Sequence, residues 1–304
     1  MKTNFKQQIA TVIAMIAITS ISWGQLSIVD DGTKATITID FDDFSRSSGE
    51  VLSQAEINDL YNLFGVNFSF SRNRNPNNTN SLRQNTGFGN EVTIFDTFDP
   101  TGGDGDLKTP GAGIGNAIAD WDNNGADKYI FRTENPGNES NYGAGDVLII
   151  QETDSNNNLR STPDDEARGG KIRVTFDQNL FEDGVTFEAF GILDIDDRGG
   201  DPNKKSFAKF FDENGRINGR NQTFAELGDG SYQEFDYSND PIENVLRADF
   251  NFYSSGALSG IRFSVPSSQN PIPEPSTYGL IGAGLLGGLI AFRRIKKSKT
   301  NKTA

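Results

Sequence analysis

Apolar and polar residues alternate with a period of two along three short segments, which is typical of β-strands with one buried face. The alternation runs through residues 34–41, 171–176 and 259–265. Residues 147–150 and 187–195 are almost wholly apolar, which predicts strands covered on both faces. Further strands are predicted at 66–70, 92–95, 129–132, 206–211, 232–235 and 248–252.

Turns rich in Gly, Asn, Asp and Ser separate these strands, and Asn214-Gly215 is a strong hairpin signal. The chain has 23 Phe residues, most of them at alternating strand positions, which we interpret as core. Together the patterns predict an all-β fold: a jelly-roll-like antiparallel β-sandwich.

One segment has helical periodicity instead. Ser53 and Glu56 form a capping-box pattern, and Gly65 is a natural helix stop. Between them, apolar residues recur at helical spacing: Ile57, Leu60, Tyr61 and Phe64. The sequence therefore predicts one short helix at an edge or end of the sandwich.

The N-terminus has the pattern of a secretory signal peptide. Residues 1–8 carry two lysines and no acid, and residues 9–21 consist only of Ile, Ala, Val, Met, Thr and Ser. Small residues at Ser22 and Gly24 suit cleavage before Gln25. The apolar run is shorter than the ~20 residues of a spanning helix. A buried core helix is the alternative, but the run has no polar face.

The C-terminus has three parts. Pro273-Glu274-Pro275 interrupts regular structure, residues 278–292 carry no charge, and a basic cluster beginning with Arg293 and Arg294 follows. A neutral apolar run stopped by basic residues predicts a membrane span with its basic end in the cytoplasm. At 1.5 Å per residue the run covers only about 22 Å, which is short for a bilayer. An ordinary permanent anchor is the alternative.

This three-part tail resembles the PEP-CTERM sorting signal of Gram-negative bacteria. The resemblance implies recognition at Pro273, Glu274 and Pro275 by an exosortase, a membrane-embedded processing enzyme. The precursor would be anchored in the inner membrane and then pass to the cell surface or extracellular matrix. We divide the chain into a signal peptide (1–24), a β-sandwich body (25–266), a linker with the motif (267–275), and a span with basic tail (276–304).

Composition restricts the function of the body. Eight of the 28 basic residues and one of the 42 acidic residues lie at the two ends, which leaves the body with a net charge of −21. Such a surface repels nucleic acid and favours divalent cations. The chain has no Cys and no His, which excludes Ser-His-Asp and Cys-His catalysis and His-ligated zinc. We therefore expect a non-enzymatic protein.

Clustered aspartates are candidate ligands for Ca²⁺, which prefers six to eight oxygen ligands. One set lies in a Gly-rich segment and at the end of an apolar strand: Asp96, Asp99, Asp104, Asp106, Asp194 and Asp196. The period of two places Asp194 and Asp196 on one face, with Leu193 and Ile195 directed into the core.

A second set matches the first half of an EF-hand loop: Asp120, Asp122 and Asn124. Phe131 stands where the bidentate Glu is due, so a complete EF-hand is not expected. The alternative for both sets is that they are ordinary polar turns.

The segment from Phe95 to Asp197 is similar to the bodies of many PEP-CTERM proteins, which implies a shared β-sandwich but no particular activity. By analogy with lectin-like jelly rolls, extracellular polysaccharide is a candidate partner, with possible stacking residues at Trp121, Tyr129 and Tyr142. Two alternatives stay open. One is a glycoside hydrolase using Asp194 with Glu152 or Glu188, and the other is a passive matrix component.

Overall fold

A computed structural model gives the fold of residues 27–42, 51–72, 92–98, 107, 131, 133–135, 138–152, 160–162, 165, 169–195, 205–225 and 231–269. All of these belong to one compact unit, Ser22–Gln269. The predicted signal peptide, Pro-Glu-Pro motif, span and basic tail lie outside the described residues. No helix within the described ranges is long and apolar enough to cross a membrane.

The described residues form one α-helix, two 3₁₀ turns and sixteen strands. The helix α1 is Gln54–Tyr61, and the turns are Asn62–Phe64 and Ser267–Gln269. The strands are β1 (Ser27–Asp30), β2 (Lys34–Ile39), β3 (Val66–Arg72), β4 (Val92–Asp96), β5 (Thr133–Asn135), β6 (Asn138–Gly143), β7 (Asp146–Ile150), β8 (Gly170–Phe176), β9 (Val185–Leu193), β10 (Phe207–Asp212), β11 (Gly215–Arg216), β12 (Gln222–Thr223), β13 (Tyr232–Asp236), β14 (Ile242–Val245), β15 (Arg247–Phe252) and β16 (Ala257–Pro266).

Two antiparallel sheets make up most of this structure. In the first, β16 pairs along one side with β9 and along the other with β2 and β7. The strands β1 and β4 extend β2 and β7, while β13 and β14 pair with the far side of β9. The second sheet has the order β11-β10-β15-β8-β3, and β12 also pairs with β10. The predicted two-sheet, all-β body is confirmed.

The main core lies between the two sheets and is rich in Phe, as the alternating pattern predicted. Ring centroids of Phe187 on β9 and Phe210 on β10 are 5.0 Å apart, and those of Phe176 on β8 and Phe263 on β16 are 4.9 Å apart. The residues predicted to face inward on the three alternating strands are all buried: Ala35, Ile37, Ile39, Phe41, Ile172, Val174, Phe176, Ile261, Phe263 and Val265.

The helix forms where the capping pattern placed it. The Ser53 backbone N–H donates to Glu56 Oε2 at 2.8 Å, and the Glu56 backbone N–H donates to Ser53 Oγ at 3.3 Å. The chain leaves the helix through the first 3₁₀ turn and Gly65, whose φ of +74° suits glycine. Tyr61 on the buried side packs edge-on against Phe68 of β3.

Asn58 on the same helix covers the edge of the second sheet. Its side-chain amide donates to Phe68 O at 2.8 Å, and its amide oxygen accepts from the Phe68 backbone N–H at 2.7 Å. On its other side β3 pairs with β8. The amide of Asn58 therefore satisfies backbone groups that an edge strand would otherwise leave open.

The outer face of the first sheet carries a second apolar cluster. Its members are Phe95, Leu107, Ala144, Val147, Ile149, Leu193, Tyr232 and Ala257. Leu148 and Ile150 belong instead to the main core, which confirms that β7 is covered on both faces. Phe131 packs on the same outer face, where a Cβ added at Gly260 would collide with its ring.

The Asn-Gly hairpin is confirmed with a shifted turn. Asp212 pairs with Gly215, so Glu213 and Asn214 form the turn and Gly215 opens β11 with a φ of +110°. Glycine tolerates this backbone conformation without steric cost. The predicted strand at 129–132 lies outside the described residues except for Phe131, which lies in a bend.

Candidate functional sites

Two of the predicted calcium ligands, Asp96 and Asp194, lie within the described structure. The others fall outside it: Asp99, Asp104, Asp106, Asp120, Asp122, Asn124 and Asp196. Of the proposed stacking residues, Tyr142 lies in β6, while Trp121 and Tyr129 also lie outside the described residues.

Asp96 ends β4 at a margin of the first sheet that is rich in carboxylates. It pairs with Asp146, the first residue of β7. The Asp96 Oδ1 atom accepts the Phe98 backbone N–H at 2.8 Å, and Asp42 Oδ1 accepts the Asp146 backbone N–H at 2.6 Å. These bonds fix the loops that leave the sheet here.

Asp194 follows the last residue of β9 and turns the chain out of the strand. Its φ is +59°, its N–H donates to Ser231 O at 2.8 Å, and it is 1% exposed. Leu193 belongs to the outer cluster and Ile195 to the main core. The prediction that these two residues share a face was wrong, because the left-handed backbone at Asp194 interrupts the alternation that an extended strand would keep.

Apolar packing links three of the segments that contain predicted ligands. Phe95, Leu107 and Leu193 are fully buried members of the outer cluster. Each is adjacent in sequence to one of the predicted aspartates. The register nevertheless separates Asp96 from Asp194. Asp96 pairs with Asp146 at the start of β7, whereas Leu193 lies in the row of Ala257 and Ile149, near the end of β7. At the usual strand spacing their Cα atoms are roughly 20 Å apart, too far to share one ion. Within the described ranges, no group of three or more acidic residues could hold a metal ion, so a complete site would need oxygen ligands from outside them.

Two of the three carboxylates considered for glycoside hydrolysis, Glu152 and Glu188, are held in ion pairs. Glu188, 6% exposed, accepts from Lys34 Nζ at 2.9 Å and from Ser264 Oγ at 2.7 Å. Glu152 pairs with Arg160 at 2.6 Å. Glu188 and Asp194 are six residues apart along β9 and its end, about 20 Å at the rise of a strand. A glycosidase pair is separated by only ~5–9.5 Å, so these two carboxyls do not form one.

A feature that the sequence reasoning missed is a group of cations on the outer face of the second sheet. We call it the basic face and define it as Lys171, Arg173, Lys209, Arg216 and Arg247, arranged around Asp249. The strand residues between these positions, such as Ile172 and Ala248, lie in the core. The period of two therefore directs the cations away from it.

Asp249 is the centre of the basic face. Its two carboxylate oxygens accept from Arg173 Nε at 2.7 Å and Arg173 Nη2 at 3.0 Å. Lys171 Nζ lies 3.4 Å from Oδ2, and Arg247 Nε lies 3.3 Å from Oδ1. The guanidinium of Arg247 also lies 3.6 Å from the ring centroid of Phe211. A single carboxylate thus pairs with three cations.

Comparison with protein families finds a match to the PEP-CTERM protein-sorting motif over residues 271–295. The chain therefore carries a PEP-CTERM sorting motif at its C-terminus, as the three-part tail predicted. A search among curated proteins finds no match.

Proposed function

We propose that this chain is the precursor of a non-enzymatic surface or matrix protein. An exosortase-type enzyme would release the β-sandwich body from the inner membrane, calcium would stabilise it, and polysaccharide would be its ligand. The observation that carries the proposal is the sorting motif at residues 271–295. It begins two residues after Gln269, where the described body ends. The motif implies export and exosortase processing, and the body is the part that would remain outside.

Two observations support a non-enzymatic role. The full chain lacks His and Cys, and therefore the usual bases and thiol nucleophiles. Glu152 and Glu188 are engaged in ion pairs, which suits a structural role more simply than proton transfer.

A passive matrix component would share these features but would bind no glycan. Reproducible binding on a glycan array would favour the proposed role, and no binding would favour the passive one.

The sorting proposal is tested by following the protein in cells. An epitope tag inserted in the exposed turn at Glu213 would report the body. We expect the tagged protein at the cell surface in a host with an exosortase. It should remain in the inner membrane when the enzyme is deleted, or when Pro273, Glu274 and Pro275 are all changed to Ala. The control Ser268→Ala should be sorted normally. The same location in both hosts would contradict the proposal and favour a permanent anchor.

Calcium is proposed at the end of β4, which the Gly-rich segment follows in the sequence. Asp96, with Asp99, Asp104 and Asp106 of that segment, would hold it, and their carboxylate oxygens suit this ion. Asp194, with Asp196, would belong to a separate site. A bound ion would stabilise the folded state by mass action. We expect 2 mM Ca²⁺, roughly a saturating concentration for an extracellular site, to raise the melting temperature above that in EDTA.

The change Asp104→Ala/Asp106→Ala should remove this calcium effect. The matched change Asp120→Ala/Asp122→Ala, in the second predicted loop, should leave it intact. An identical melting temperature with calcium and with EDTA would contradict the calcium proposal and leave the sorting proposal untouched.

A further inference from the structure

The basic face holds positive charge that its own residues do not balance. Five cations lie on the described strand positions of this face, and among those positions Asp249 is the one acid. The body as a whole is strongly acidic, with 41 acidic and 20 basic residues between the two ends. The basic face is therefore positively charged on a protein whose other charged residues are mostly acidic.

Strand register spreads the cations over an area rather than one point. Arg173, Asp249 and Lys209 are cross-strand neighbours in one row across β8, β15 and β10. Lys171 lies in the row on one side and Arg247 in the row on the other. Strands lie about 4.8 Å apart and alternate residues about 6.8 Å apart. With Arg216 on β11, one strand beyond β10, the cations cover roughly 14 Å by 14 Å, which suits a chain of charges better than a single ion.

Four of the five cations are partly buried, Arg216 is exposed, and the group is close enough for its members to repel one another. The side chains of Lys171 and Arg173 are 13% and 25% exposed. Burial lowers the pKa of Lys171, and Arg173 lowers it further. Burial and then Arg216 lower the pKa of Lys209. An anion bound here would relieve this repulsion and would interact in a partly dehydrated setting, where charge-assisted hydrogen bonds are stronger.

We propose that the basic face is a docking surface for a carboxylated polysaccharide. Charge complementarity is the main argument, because a row of carboxylates would match the rows of Arg and Lys. The half-buried rings of Phe207 and Phe211 lie on the same face and offer apolar surface beside the cations. The inference rests on the proposed function in two respects, the location outside the cell and the choice of polysaccharide as the ligand.

Binding of polygalacturonate to the full chain in a nonionic detergent tests the proposal. The variant Lys209→Gln/Arg216→Gln removes two cations for which no carboxylate among the described residues accepts a hydrogen bond. The matched control Lys34→Gln/Arg160→Gln makes the same charge change away from the basic face. We expect the first variant to bind about tenfold more weakly and the control to bind within about twofold of the wild type. Neutral dextran of similar length should not bind.

Three results would overturn the proposal. The first is equal loss of binding in both variants, which would indicate that the loss reflects the change in overall charge and not the basic face. The second is binding of dextran as tight as that of polygalacturonate. The third is a wild-type protein that is a dimer and binds no polygalacturonate, together with a basic-face variant that is a monomer. That result would make a second copy the occupant. Because the assay uses purified protein, failure of sorting in cells would leave its result unchanged.

Discussion

Asn58 offers a direct test of how the helix and the second sheet are joined. Its side chain makes two hydrogen bonds to the backbone of Phe68, at 2.7 and 2.8 Å. The change Asn58→Ala would leave a buried N–H and a buried C=O without partners, because Phe68 is fully buried. Each such group costs about 1–3 kcal/mol.

The expected loss of stability follows from these terms. Alanine is the better helix former by about 0.5 kcal/mol, which offsets a small part of the loss. Asn58 is 9% exposed, so water can reach part of the site and the lower half of the range is more realistic. We expect Asn58→Ala to lower the free energy of unfolding by about 1.5–3.5 kcal/mol. For a body of this size that is a drop in melting temperature of roughly 3–14 °C.

Thermal unfolding of the full chain in nonionic detergent, followed by circular dichroism, would measure this drop. The control is Asp59→Ala, because Asp59 is exposed on the next position of the same helix. It should change the melting temperature by no more than ~2 °C. An equal, small change in both variants would refute the account of Asn58 as the partner of the β3 edge.

Three further predictions concern other parts of the body. Gly260→Ala should lower the melting temperature, because the added Cβ would collide with the ring of Phe131. A double-mutant cycle with Phe131→Ala should show a coupling free energy above about 0.5 kcal/mol. Additive effects of the two changes would exclude the contact. Hydrogen bonds, first of all from the Thr33 side chain, lower the pKa of Asp31 from 3.8 to about 2. The ionised carboxylate therefore stabilises the folded state fully above pH 3.8. This stabilisation is lost as the pH falls through about 2. The difference in melting temperature between wild type and Asp31→Asn should therefore be constant from about pH 5 to 7 and shrink in acid, and a pH-independent difference would contradict the assignment. Asp249→Asn should lower the melting temperature more at low salt than at high salt, because salt screens the repulsion among the cations that Asp249 no longer balances. A loss in melting temperature that does not depend on salt would argue against that repulsion.

The local structure of the sandwich follows closely from the sequence. Alternation fixes which residues of β2, β8 and β16 enter the core, because an extended strand directs successive side chains to opposite faces. The capping box at Ser53 and Glu56 likewise fixes the start of the helix, because its hydrogen bonds are made within four residues. These signals are local, and the structure confirms them.

Long-range pairing could not be read in the same way. Nothing in residues 257–266 shows that β16 has three partners, β2, β7 and β9, because register depends on strands distant in sequence. The basic face was missed for this reason: Arg173 and Asp249 become neighbours only when β8 and β15 pair. The shared face of Leu193 and Ile195 was predicted wrongly, because the positive φ of Asp194 between them breaks a strand pattern that the sequence alone continues.

The central claim, that the body is released from a membrane-anchored precursor, is tested most directly by the intact mass of the mature protein. The protein would be collected from the surface fraction of a host that has an exosortase. The account predicts a chain that begins at Gln25 and ends at or near the Pro273-Glu274-Pro275 motif. A surface protein whose mass still includes Arg293 and Arg294 would contradict it.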